Sequence, residues 1–366
     1  MIIEQIQTYY PGKSYSNREI EQILYKKDKE ISEVLVKIGG KHFLDEVKNS
    51  PTFFENLGVE NRYILSEPDN LVEWWDKHAG TDPFALEAAK SYEQLMENKR
   101  PLTTEDRIIV IANGVDTVSP NIGYTVLSHL QKRNKSFVQP SVISLVGEGC
   151  SGFISGLREA DLYIKAKPNT RVVVITVEMM ATPLFNPWLQ PELINYTKNL
   201  PTSAVEIMRS RLMGLAIQRY LFGEGCAAAL CGDDGEGIKF SQFYRWANLD
   251  PDDIHLLELI GTNTKQLPHI PPFGFFNQQP EKLVKRLGDA YFPAAESILS
   301  KLNLKNAHFA IHTGSGKILN FVQNKLALSD EQIFPSRYIL KNYGNMNATT
   351  GAAILENLAA KKNCED

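Results

Sequence analysis

Four cysteines are all that this 366-residue chain contains, and none stands in a Cys-x-x-Cys pair. Cys150 and Cys364 lie alone, and Cys226 and Cys231 are five residues apart. That spacing speaks against a disulfide scaffold and against a structural zinc site. The seven histidines form no His-x-x-x-His or His-x-His pair, so no metal is expected. No apolar run approaches the roughly 20 residues that span a bilayer. The opening stretch Met1-Ile-Ile-Glu-Gln-Ile-Gln-Thr-Tyr-Tyr10 has no basic segment and carries Glu4 where a signal peptide is apolar. A cytoplasmic protein is therefore the expectation. A surplus of one charge is missing too. Lys+Arg is 39 against Asp+Glu 43, a net charge of -4, which removes any sequence-wide electrostatic case for nucleic acid or anionic membrane.

What is present is ordinary globular material, 43% hydrophobic and 22% charged, long enough for two to three domain-sized units. No short-period repeat and no low-complexity segment interrupts it. The first 105 residues are polar and read as helical, with Ser16-Asn-Arg-Glu19 as a capping box ahead of Ile20, Ile23 and Leu24. The texture then changes to short β-branched runs. These are Arg107–Ala112, Ser141–Val146, Arg171–Val177 and Cys226–Cys231, each apolar enough for a strand buried on both faces. Helical patterns separate them at Asn121–Lys132 and Gly152–Lys165, the second expected to bury Ile154, Leu157, Ala160, Leu162 and Ile164. The polar stretch Gly232–Gly237 is the best break, dividing the chain into 1–235 and 236–366. Beyond it, Ile254–Ile260 and Ala307–His312 read as strands, and Glu281–Leu302, Ile318–Leu326 and Thr349–Lys361 as helices. Alternating strands and helices imply an α/β fold with a mixed or parallel core sheet.

Three glycine-flanked segments carry chemistry. In Leu145-Val-Gly-Glu-Gly-Cys150-Ser-Gly a strand runs through glycines into a helix that opens at a cysteine. There the helix dipole and unpaired N–H groups favour the nucleophilic thiolate. The other reading of Cys150 is a small thiol packed at a strand–helix junction. In Phe309-Ala-Ile-His312-Thr-Gly-Ser-Gly316 an imidazole ends a strand, where active sites of α/β sheets collect. A structural turn residue is the alternative for His312. In Tyr343-Gly-Asn345-Met-Asn-Ala-Thr-Thr-Gly351 the Asn345 amide either donates a hydrogen bond or caps the following helix.

Cys, His and Asn in that order, each on such a turn, resemble the thiolase-type condensing enzymes and, more narrowly, the type III polyketide synthases (the chalcone and stilbene synthase group). Gly114-Val-Asp116, the strand Arg171–Glu178, Leu221-Phe-Gly-Glu-Gly-Cys-Ala-Ala-Ala-Leu230, Asn324-Lys-Leu-Ala-Leu328 and Tyr343-Gly-Asn-Met346 extend the likeness over roughly residues 105–360. The resemblance implies a thiolase-like five-layered αβαβα fold of two similar halves, the first holding the cysteine and the second the histidine and asparagine. It also implies a homodimer, and a protein whose substrates are CoA thioesters and whose cofactors are none. It assigns Cys150 as the nucleophile that takes an acyl starter from acyl-CoA. His312 and Asn345 would stabilise the enolate left when malonyl-CoA, or a malonyl group on acyl carrier protein, loses CO₂. Two fixed neutral donors suit a developing oxyanion, which a carboxylate would repel.

Substrate-binding roles fall to Phe222, Asn113, Phe275 and Gly314. Phe222 aligns with the family's phenylalanine between tunnel and cavity, and core packing is its other reading. Phe275 belongs to the aromatic cluster Pro272–Phe276. Ser119-Pro120 and Pro183 would shape the backbone. The sequence departs from the family at Asn347-Ala-Thr-Thr, where Ser-Ser is usual, and it ends at Asp366 without the family's closing strands and Gly-Phe-Gly-Pro-Gly loop. The expectation for that wall is a different supply, a partner chain or a shortened relative. Two other functions compete with the condensing enzyme: a thiolase-fold subunit of a heteromeric synthase, and an acyl transferase that does not decarboxylate.

Overall fold

The computed structural model describes residues 1–27, 52–78, 82–114, 119–185, 217–253, 257–260, 275–278, 285–302, 304 and 307–362. The chain opens not with a helix but with a strand, β1 (Ile2–Tyr9), and a short β2 (Lys13–Ser16) follows. This corrects the helical expectation for the polar N-terminal region. Glu4, Gln5 and Gln7 interrupt any apolar run in β1, yet the strand is held from both sides by sheet neighbours. The capping box forms as expected. Ser16 N–H donates to Glu19 Oε2 at 2.8 Å and Ser16 Oγ accepts from Glu19 N–H at 3.3 Å, opening α1 (Asn17–Lys27). Ile20, Ile23 and Leu24 on its inner face are buried. β3 (Asn61–Ile64) pairs antiparallel with β2.

The four β-branched runs become β4 (Arg107–Ala112), β5 (Ser141–Val146), β6 (Val172–Met179) and β7 (Glu224–Gly232). Gly232–Gly237 turns the chain into β8 (Ile238–Lys239). These strands and β1 make one six-stranded sheet ordered β5-β4-β6-β7-β1-β8. β4 runs parallel to β5 and β6, while β7 is antiparallel to both β6 and β1. The sheet is mixed.

Strand side chains alternate between two cores, which is why the runs are apolar throughout. Ile108, Val110, Val173, Ile175, Ala228 and Leu230 face α2 (Pro83–Met96) and α3 (Ile122–Arg133). Ile109, Ile111, Val172, Val174, Ala227 and Ala229 face the other way, onto Phe153, Leu157, Ala160 and Ile164 of α4 (Gly152–Ala166). Ile154 and Leu162 do not join that face as expected. They are 44% and 49% exposed, because the buried stripe runs through Phe153, Gly156, Leu157, Ala160 and Ile164.

Of the strand expected at Ile254–Ile260, β9 (Leu257–Ile260) is present and pairs antiparallel with β10 (Phe275–Gln278); residues 254–256 lie outside the described residues. In place of one helix over Glu281–Leu302, a π-helical stretch at Leu287–Tyr291 leads into an α-helix at Phe292–Leu299, and residues 281–284 lie outside the described residues. α5 (Gly316–Leu326) appears as expected.

Ala307–His312 is not a strand. Its backbone is held by side and main chain of α6 (Asp330–Tyr343), a helix the sequence reading did not anticipate. Ser336 Oγ accepts from Ile311 N–H and donates to Phe309 O, and Gln332 Nε2 donates to Ala307 O. A helix thus fills the ladder's role. The signal for α6 was present as the capping box Ser329/Gln332, with Pro335 obscuring the pattern. Last comes α7 (Ala348–Lys362), whose Ala348 and Ala352 complete the α4 side of the sheet.

Candidate active site

β4, β5 and β6 lie side by side, and their carboxyl ends build the first half of the site. Past β5 the chain turns through Gly149 at φ +59, a left-handed conformation that glycine adopts without strain, into a 3₁₀ turn at Gly149–Ser151. Cys150 sits in that turn as a free, partly buried thiol. Asn113, directly after β4, is buried and grips the turn with its amide. Its Oδ1 accepts from Gly149 N–H at 2.6 Å, while Nδ2 donates to Gly149 O at 3.2 Å and to Glu178 Oε1 at 2.6 Å.

Glu178 is fully buried near the end of β6. Burial holds its carboxyl well above the ordinary carboxylate range, against the opposing pull of the Asn113 amide and the N–H groups of Asn113 and Ala348. One carboxyl is thus bonded to the clamp on the Cys150 turn and feels the backbone N–H of Ala348, the first residue of α7.

Burial, followed by the charge of Glu178, pushes the Cys150 thiol up to about 12. This corrects the expectation that the helix start yields a ready thiolate. The dipole contributes about 0.3–1 kcal/mol. The thiol sits ahead of α4 beside a buried carboxyl, and desolvation wins.

Asn345 is positioned by a different device. Its N–H donates to Leu221 O at 2.9 Å and its carbonyl accepts from Gly223 N–H at 3.1 Å, a parallel bridge opposite Phe222. The approach is so close that a Cβ on Gly223 would fall 2.0 Å from the Tyr343 carbonyl oxygen. Asn345 Oδ1 accepts from Asn347 N–H at 2.9 Å, steadying the turn into α7. That contact uses the acceptor end of the amide, and Nδ2 donates to no other described residue. Thr349 anchors the same turn to the sheet, through Thr176 Oγ1 at 2.8 Å and Gly225 O at 3.1 Å.

His312 ends the segment that α6 holds. Both ring nitrogens are buried without a hydrogen-bond partner, and burial pushes the imidazole down to about 4, so the ring is neutral. No hydrogen bond joins it to Cys150 or to Asn345. Gly314 N–H donates to His312 O at 3.2 Å, closing the turn before Ser315 caps α5.

Phe222 is buried in the core with Leu24, Leu184, Tyr220 and Leu221. The backbone of Phe275 begins β10 opposite Ile260; its side chain lies outside the described residues, as do Asp116 and Cys364. Glu178 received no role from the sequence. Its signal was a glutamate inside an otherwise apolar, doubly buried strand. Among the described residues no group of three His, Cys, Asp or Glu is placed to hold a metal ion, and no helix is long and apolar enough to cross a membrane.

Residues 272–366 match the family model of chalcone and stilbene synthases, C-terminal domain. The chain is 28% identical over 217 residues to type III polyketide synthase B of Arabidopsis thaliana, covering 57% of this chain and 48% of that one. It is 25% identical over 226 residues to type III polyketide synthase 10 of Oryza sativa subsp. japonica, covering 59% and 48%. A putative chalcone synthase of Bacillus subtilis (strain 168) is 27% identical over 217 residues, covering 57% and 51%. The chain spans about half the length of these relatives. It resembles the type III polyketide synthases, and its mixed α/β sheet with flanking helices is compatible with their thiolase-like fold.

Proposed function

We propose that this protein is a condensing acyltransferase. It loads an acyl starter from acyl-CoA onto Cys150 and extends it by decarboxylative Claisen condensation with malonyl-CoA. The observation that carries the reading is the state of the two donors. Asn345 has its amide fixed through Oδ1 with Nδ2 left over, and His312 is neutral with both nitrogens unpartnered.

Cys150 begins as a thiol, so its attack on the thioester carbonyl is accompanied by proton transfer to His312. Collapse of the tetrahedral intermediate breaks the carbon–sulfur bond to CoA, and the departing thiolate takes that proton. Malonyl-CoA then loses CO₂. The electron pair of the broken carbon–carbon bond becomes an enolate, whose oxygen accepts hydrogen bonds from neutral His312 and from Asn345 Nδ2. The enolate carbon attacks the acyl carbonyl on Cys150 and expels the Cys150 thiolate, which takes a proton from solvent water and so restores the thiol. Neutral, prepositioned donors serve this charge well because nothing reorganises as it appears.

The same proposal includes a five-layered thiolase-like arrangement of two halves, residues 1–235 and 236–366, a cytoplasmic homodimer, donors on CoA or acyl carrier protein, and no cofactor beyond the CoA thioesters. These parts rest on the resemblance. Intact-protein mass spectrometry after incubation with a panel of acyl-CoAs, with and without malonyl-CoA, tests the reading. An acyl adduct on Cys150 that malonyl-CoA lengthens or discharges supports it. An adduct that malonyl-CoA leaves untouched makes the protein a plain acyl transferase, and the absence of any adduct sinks the proposal.

A further inference from the structure

Asn113 was expected to line the substrate site, yet its side chain is spent on the protein. The amide meets both polar atoms of one residue, Gly149, in the manner of two facing peptide groups. Gly149 stands at φ +59 as the first residue of the 3₁₀ turn, where the turn supplies no partner for its N–H, and Asn113 provides one. Nδ2 also reaches Glu178 on the neighbouring strand. Asn113 is 5% exposed, so water competes little for these bonds.

We propose that Asn113 is a positioning residue that locks the Cys150 turn and the Glu178 carboxyl into one frame and thereby sets the reactivity of Cys150 without touching a reacting atom. The inference rests on reading Cys150 as the nucleophile, and it deepens that reading. If the frame is real, changing the amide at 113 changes how readily Glu178 ionises beside the thiol and so how it acts on it. Among the described residues two acidic groups adjoin the turn: Glu178 on β6, and Glu148 within the turn itself, which accepts from Ser155 Oγ at 2.9 Å. Of these two, Glu178 is the one bonded to Asn113.

The test follows alkylation of Cys150 by iodoacetamide across pH in the full chain, with peptide mapping and a thermal melt of each variant. Asn113→Asp keeps an acceptor for Gly149 N–H but replaces the donor to Glu178 with a second acid. Its alkylation profile should move to higher pH, with the rate near pH 8.5 down about tenfold or more. Glu178→Gln keeps the acceptor for Asn113 Nδ2 and removes the charge, so its profile should move to lower pH. In the double variant the new Gln amide donates to the Asp, and the profile should return toward that of the parent. Should Asn113→Asp lose its melting transition, Asn113→Ser takes its place: it removes the donor to Glu178 without adding an acid, and its profile should still depart from the parent's. Profiles that superimpose on the parent, whatever the change in melting temperature, would reduce Asn113 to a structural residue. Iodoacetamide needs no acyl substrate. A parent protein that takes no acyl group therefore defeats the acyltransferase reading, while unshifted profiles defeat this inference alone.

Discussion

Cys150 hangs from the turn between β5 and α4 at the edge of a six-stranded sheet, and Asn113 and Glu178 stand at the ends of the next two strands inward, β4 and β6. His312 ends a segment without strand pairing, held mainly by Ser336 and Gln332 of one helix. The first side is overdetermined: parallel ladders, two packed cores and a bidentate amide all fix one geometry. The second rests, among the described residues, on the bonds from Ser336 and Gln332. Asn345 stands between these extremes, on a turn tied to the sheet through Thr349 and to Phe222 through a single bridge. The place of Cys150 is thus a property of the sheet, whereas the place of the imidazole is a property of one helix face.

The largest effect breaks the sheet side at its functional atom. Cys150→Ala should abolish the acyl adduct, because Cys226 and Cys231 are buried within β7 and offer no alternative. Peptide mapping that found an acyl group on any other cysteine would remove Cys150 from its role.

Asn345 comes next. Removing one donor aimed at developing charge costs about 10²–10³ in rate. Asn345→Ala should impose that loss on CO₂ release from malonyl-CoA and leave loading of Cys150 within about tenfold, a margin of roughly 1.4 kcal/mol. Asn345→Asp is the sharper variant. It keeps an acceptor for Asn347 N–H, so the turn is preserved, while the donor is lost and a repelling charge is added. Acyl-enzyme formation by mass spectrometry and malonyl-CoA consumption by chromatography separate the two steps. Equal loss of both in Asn345→Asp would mean that this residue only caps the turn.

How much of this contrast was legible follows from where each signal resides. β4, β6 and β7 were readable because burial on both faces demands unbroken apolar runs. β5 is instead the sheet's edge strand and only partly buried, with Val146 48% exposed, contrary to the doubly buried strand expected there. β1 was not, since its stability comes from two neighbours that no local pattern reveals. Ala307–His312 has the composition of a strand, and its partners turned out to be two side chains about 25 residues further along. The order Cys, His, Asn was visible in the glycine-flanked turns. The ionisation of Cys150 was not, because Glu178 reaches it from another strand and its burial is a property of the assembled core.

The sheet side has a pH-dependent point of its own at the start of β7. Glu224 accepts from Leu65 N–H at 2.5 Å and from the N–H and hydroxyl of Thr182, tying β7 to the turn after β3 and to the short helix Ala181–Leu184. Burial raises its carboxyl from 4.5 to about 7 despite those donors. The folded protein therefore holds this proton up to about pH 7, and the unfolded chain releases it near pH 4.5. Between these values the folded state binds more protons, so the contribution is complete below pH 4.5 and falls away as pH rises to about 7, by roughly 3 kcal/mol. Chemical denaturation of wild type and Glu224→Gln at pH 5 and pH 8 isolates this effect. The wild type should lose more stability than the variant on going to pH 8, and parallel losses would assign the slope to other groups.

The smallest expected effect tests whether the two sides are independent. Ser336 is fully buried, and its hydroxyl accepts from Ile311 N–H at 2.9 Å and donates to Phe309 O at 3.1 Å. Ser336→Ala leaves both backbone groups unpaired in a buried setting, at a cost of about 1–3 kcal/mol. The segment before His312 then loses a main tether, and the imaginable relaxation is a shift of the ring rather than of the sheet. Loading and decarboxylation, which share His312, should therefore both slow by about tenfold, a change of roughly 1.4 kcal/mol in each barrier. The pH profile of Cys150 alkylation should stay where it is, because Asn113, Gly149 and Glu178 make no contact with Ser336 in their hydrogen bonding. Asn113→Asp should give the converse pattern, a displaced alkylation profile from a change on the sheet side. If Ser336→Ala moved the alkylation profile as far as Asn113→Asp does, the two sides would be one mechanical unit, and the contrast between them would fall.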